Sequence, residues 1–127
     1  MSHSDLYIQH VDGKGRGVFS KKFIPANTKI EIAPVIVFDA TERKILEQTK
    51  LYNYIFEWGE NGQECCVALG FVSMYNHASP SNCEYFMFYD IETIIIQTVR
   101  DIQPGEELTI NYSADWNQFR PVWFMEK

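Results

Sequence analysis

Cysteine is scarce in this chain: there are three, Cys65, Cys66 and Cys83, among 127 residues. An odd number with two adjacent argues against a disulfide framework and fits a reducing compartment. No C-x-C or C-x-x-C occurs and the histidines are scattered at His3, His10 and His77, so neither a structural zinc site nor any other metal is expected. No apolar run approaches the ~18 residues that span a bilayer, which argues against a membrane-crossing helix, and no membrane partner is expected. The N-terminal MSHSDLYIQHV has neither the basic nor the apolar region of a secretory signal, so an intracellular protein, cytoplasmic or nuclear, is expected. Positive charge is also short, with 11 Lys+Arg against 17 Asp+Glu and a net charge of −6. Phosphate contacts need a basic surface, so direct nucleic-acid binding is not expected. An acidic surface suits a cationic partner such as a Lys/Arg-rich peptide, or simply keeps the protein soluble. Internal repeats and low-complexity segments are lacking too.

What is present is apolar and aromatic: 46% hydrophobic and 15% aromatic residues exclude a disordered chain, and the length fits a single domain over 1–127. DLYIQHV reads as a strand, GKGRG as a glycine-rich turn, and Val18-Phe19 as the answering strand. Pro25-Ala26-Asn27 signals a turn, and TKIEIAPVIVF a strand in which Pro34 marks a break or an edge. Asp39 and Glu42 have capping-box spacing ahead of a helix over Ala40–Thr49, with Ile45 and Leu46 on its apolar side. YNYIFEW and CCVALG form a hairpin around GENGQ, 71–82 is a loop with at most one helical turn, and CEYFMFY pairs with TIIIQTV. Pro104-Gly105 turns the chain into a last strand, EELTINY. The tail, 113–127, holds two of the three tryptophans and is expected to fold back over a mainly β domain of roughly eight strands.

The segments GFVSMYNHASPSN (70–82) and PGEELTINY (104–112) carry the chemistry. Alone, an Asn-His dipeptide is an ordinary loop element and a strand-terminal tyrosine an ordinary core residue. In order, however, Gly15-Arg16-Gly17-Val18-Phe19, then Gly70-Phe71 leading to Asn76-His77 and Asn82, then Gly105 through Tyr112 resemble the SET-domain protein lysine methyltransferases, over about residues 7–120. The chain is most similar to the short stand-alone viral and bacterial members. The resemblance implies a β-clip-like fold of several small sheets, with one or two short helices and a C-terminal pseudoknot that joins the Asn-His and tyrosine segments. It also implies S-adenosylmethionine as cofactor, the ε-amine of a protein lysine as acceptor, and a narrow channel joining their two sites. A basic substrate such as a histone or histone-like protein follows from the same likeness.

Residue by residue, Tyr112 matches the active-site tyrosine, Tyr54 a second catalytic and channel tyrosine, and Trp116 a channel aromatic. The backbone of Lys14, Gly15, Arg16 and Gly17 matches the cradle for the methionine end of the cofactor. Asn76 matches the residue that holds its amino group, and His77 the residue whose backbone meets the adenine, which leaves the imidazole a structural role. The physical demand is plain. A free lysine has a pKa of about 10.4, so neutralising it at pH 7 costs on the order of 4–5 kcal/mol. A dry aromatic channel and a neighbouring sulfonium both lower that cost. Three departures stand beside the motif residues: Ala78-Ser79 where the family has Ser-Cys, Ser81 where it has Pro, and Asn111 where it has Asp. With no Cys-rich module following the motif tyrosine, the tail around Trp116, Phe119 and Trp123, or a second subunit of a homodimer, is expected to close the channel. The alternative reading is a SET-like module that binds peptide or cofactor without turnover.

Overall fold

Alternation of apolar and polar residues builds strands here, and hydrogen-bonding side chains decide where they stop. A computed structural model describes residues 5–112. Strand β1 (Leu6–Val11) pairs antiparallel with β2 (Gly15–Ser20). The glycine-rich turn is shorter than expected, because Gly15, Arg16 and Gly17 already lie in β2 opposite Val11, His10 and Gln9. Positive φ values at Gly13 and Gly15, +79° and +86°, supply the left-handed backbone that the tight reversal needs.

Strand β3 (Lys29–Phe38) runs unbroken through Pro34 and lies at the centre of a five-stranded sheet, ordered β4-β5-β3-β8-β7, with β4 Ile55–Trp58, β5 Glu64–Ala68, β7 Cys83–Phe88 and β8 Thr93–Thr98. Pro34 therefore marks neither a break nor an edge. The strand pairs with β8 as far as Pro34 and with β5 from Val35 onward. At this changeover the Pro34 carbonyl accepts from Leu69 N–H at 3.1 Å, so the missing proline N–H falls at a ladder end.

Helix α1 (Ala40–Leu46) starts on the expected capping box, with Glu42 N–H donating to Asp39 Oδ1 at 2.8 Å and Asp39 N–H to Glu42 Oε1 at 2.9 Å. It ends sooner than expected, since Thr49 instead caps a 3-10 turn over Lys50–Tyr54. That turn replaces the first residues of the expected strand at 52–58. Nor is the helix docked by an apolar side: Ile45 is 63% exposed and no helix residue is buried. Arg43 attaches it, donating to Glu47, Glu57 and the carbonyls of Gly62 and Glu64.

The second sheet is ordered β1-β2-β9-β6, with β6 Asn76–His77 and β9 Glu107–Ile110. Strand β9 pairs antiparallel with β2 and parallel with β6. Parallel neighbours need a long crossover, and residues 78–106, including the β7–β8 hairpin, supply it. The core between the sheets is aliphatic, with Val18, Ile24, Ile30, Ile94, Ile96, Ile102, Leu108 and Ile110 fully buried. All three cysteines are free and buried, and burial raises their thiol pKa values, that of Cys66 to about 12. Among the described residues no helix is long and apolar enough to cross a membrane.

Candidate active site

The β6–β9 pairing sets Asn76 beside Thr109 and His77 beside Ile110, so the two segments singled out above meet. Asn82 locks them together from within the core. Its Oδ1 accepts Thr109 N–H at 2.8 Å and its Nδ2 donates to the Glu107 carbonyl at 2.8 Å, so the carboxamide continues the ladder that the two-residue β6 is too short to complete. Just beyond β9, Tyr112 N–H donates to His77 Nδ1 at 3.1 Å. This makes Nδ1 an acceptor and the imidazole a neutral strut. Burial and, less strongly, the charge of Lys14 lower the His77 pKa, which favours the same neutral form.

The Tyr112 ring lies between His77, 5.2 Å away, and the edge-on ring of Phe56, 6.4 Å away. Its hydroxyl donates to the Tyr75 carbonyl at 2.5 Å. Burial first, then the charge of Glu107, pushes the phenol pKa above its ordinary value of 10.0, so at neutral pH it is a hydroxyl and not a phenolate.

A cleft of about 450 Å³ runs past these groups, lined by Lys14, Arg16, Tyr54, Asn76, His77 and Tyr112 together with Asn53 and the 73–75 turn. Of the residues named from sequence and described here, only Gly15 and Gly17 are absent from this lining. Tyr54 reaches it from the end of the 3-10 turn, 37% exposed, with its carbonyl accepting from Ser73 Oγ at 2.9 Å. Trp116 lies outside the described residues.

Gly17 is hemmed in on its Cβ side. A Cβ there would stand 2.5 Å from Glu107 Oε2 and 2.9 Å from Asn76 Nδ2, so the space it leaves is filled by the site's own side chains. Those two groups are bonded to each other at 2.7 Å, and Asn76 Nδ2 also donates to the Arg16 carbonyl at 3.2 Å. Glu107 does not line the cleft but holds the Asn76 carboxamide from behind, a support not anticipated from the sequence. Its signal was the second acid of PGEEL, whose alternation with the buried Leu108 turns it to the opposite side of β9.

The SET domain family profile matches residues 15–113. The chain is similar to a Schizosaccharomyces pombe protein named histone-lysine N-methyltransferase, H3 lysine-37 specific, with 40% identity over 125 residues, covering 98% of this chain and 80% of that protein. It is also similar to the crystal structure of a Plasmodium falciparum protein described as a candidate histone methyltransferase. The TM-score is 0.66 at 27% identity, covering 88% of this chain and 96% of that one.

Proposed function

The chain belongs to the SET-domain family, and from that premise we propose that it is a protein-lysine N-methyltransferase that uses S-adenosylmethionine and acts on a histone or histone-like basic protein. The observation that carries this reading is the convergence of Asn76, Tyr54 and Tyr112 on one cleft. The donor set suits the cofactor. Lys14 and Arg16 bring positive charge for a carboxylate, whereas Asn76, with its amide protons committed to Arg16 and Glu107, keeps an acceptor oxygen for an ammonium. Lys14, Arg16, Asn76 and the backbone of His77 would hold it.

When bound, S-adenosylmethionine supplies an electrophilic methyl group on a sulfonium. The chain's own part is alignment and the exclusion of water. Tyr54 and Tyr112, the latter backed by Phe56, would wall the lysine side chain from water, which disfavours its ammonium form. The Tyr112 hydroxyl, its proton committed to the Tyr75 carbonyl, offers oxygen as an acceptor to orient the amine. A net charge of −6 favours the approach of a basic tail to the protein as a whole. A histone substrate would be met in the nucleus.

Transfer of labelled methyl to purified histones, H3 first, tests the reading. Incorporation at lysine is expected. Cofactor binding without incorporation on any histone would instead favour the non-catalytic module. The pH profile is a second check. Because the Tyr112 pKa is raised, the phenol stays protonated through the range in which the substrate lysine loses its proton. The rate should climb with pH and show no falling limb from this tyrosine up to pH about 10.

Gly17→Ala separates fold from site. The two nearest atoms a Cβ would meet are the far ends of Glu107 and Asn76, which can swing away, and the third is a Val11 methyl at 3.1 Å that needs to give only a few tenths of an ångström, so stability should change by less than about 1 kcal/mol. The swing breaks the Glu107–Asn76 bond, a charge-assisted one, and S-adenosylmethionine affinity should fall about tenfold by titration calorimetry. Unchanged affinity would remove Glu107 from the site.

A further inference from the structure

We infer that Glu31 is a positioning residue for methyl transfer, acting through Tyr75 on the Tyr112 hydroxyl; this rests on the activity proposed above. A carboxyl group only 2% exposed, in the middle of an apolar strand, is a costly thing to bury unless its oxygens are engaged. Its place in β3 turns it inward: Glu31, Ala33 and Val35 alternate on the buried face with Ile32 exposed between the first two, and the register shift with β8 between Lys29 and Glu31 lets Ile30 be buried beside it.

Both oxygens of Glu31 reach one short segment. Oε2 accepts Phe71 N–H at 2.6 Å and Oε1 accepts the Tyr75 hydroxyl at 3.0 Å. These bonds bracket the 3-10 turn Val72–Met74 at both ends. The turn runs directly into Asn76-His77, and the carbonyl of Tyr75, whose side chain Glu31 grips, is the group that receives the Tyr112 hydroxyl. From a carboxyl group in the sheet to a phenol in the cleft there are thus two hydrogen bonds with a single residue, Tyr75, between them. Displacing Tyr75 moves the acceptor that orients Tyr112, with no direct contact between Glu31 and the reacting atoms required.

Two mild substitutions test this. Tyr75→Phe keeps the ring and removes the hydroxyl. Glu31→Gln keeps the shape but presents an NH2 to one of two donors. In full-length protein with histone H3, each should lower kcat about tenfold while the S-adenosylmethionine Kd stays within about threefold. The double variant should fall no further than the worse single, because both cut the same chain of contacts. In protein labelled at tyrosine Cζ with carbon-13, the resonance lost in Tyr112→Phe should shift in both variants. The inference is overturned if kcat stays within twofold, if its loss tracks weakened cofactor binding or unfolding, or if the Tyr112 resonance does not move. Should Glu31→Gln not fold, Tyr75→Phe decides alone. Should the unaltered protein methylate nothing, the proposed activity fails by itself; a shifted resonance then still supports the coupling to Tyr112, and an unmoved one refutes it.

Discussion

Replacing Tyr112 with Phe is expected to slow methyl transfer by roughly a hundredfold or more, the range seen when one preorganised donor or acceptor at a reacting centre is deleted. The ring, with its packing against His77 and Phe56, is unchanged, and so is the backbone bond from residue 112 to His77 Nδ1. What disappears is the oxygen and its bond to the Tyr75 carbonyl. That loss leaves the carbonyl of the buried Tyr75 without this donor, a penalty of about 1–2 kcal/mol. Single-turnover transfer to histone H3 with saturating cofactor reads the chemical step. A melting curve and a cofactor titration on the same sample show that fold and binding persist. A rate within tenfold of the original would mean that this hydroxyl does not face the reacting amine, and the catalytic assignment of Tyr112 would fall with it.

The largest effect on stability is expected at a residue that touches no substrate. Asn82→Ala should destabilise the protein by about 3–5 kcal/mol. It strands the Thr109 N–H and the Glu107 carbonyl inside the protein, and each buried orphan costs about 1–3 kcal/mol. The carboxamide is 5% exposed, so water cannot readily replace it. For a domain of this size the loss lowers the melting temperature by roughly 15–30 °C, and urea unfolding measures it directly. Cofactor binding should weaken in parallel, because the 76–77 and 107–112 segments are then held mainly by the short β6 pairing. A change below about 1 kcal/mol would show that the pairing stands without the clamp.

Much of this site was legible before any coordinates. Tyr54, Lys14, Arg16, Asn76, His77 and Tyr112 border one cleft, and the structural reading of the His77 imidazole agrees with its Nδ1 accepting from Tyr112 N–H. The strands were legible for a simple reason: β7 and β8 are dense in β-branched and aromatic residues with a period of two, and that pattern is a property of neighbours in the chain. Where the reading missed, a side chain was answering a partner far away. Pro34 reads as a breaker until one sees that β3 changes partner there. Ile45 reads as the inward face of α1 until Arg43 is found holding the helix instead.

The order of the motifs carried the resemblance to the family and, through that resemblance, most of the residues at the cleft, whereas local alternation by itself determined the strand-rich class, since both are written along the chain. They could not reveal that Gly17 makes room for Glu107 and Asn76, that Asn82 stands in for a strand, or that Glu31 turns inward to grip Tyr75. Each of these depends on which distant atoms come within a hydrogen bond's length, and the order of neighbours along the chain does not fix that.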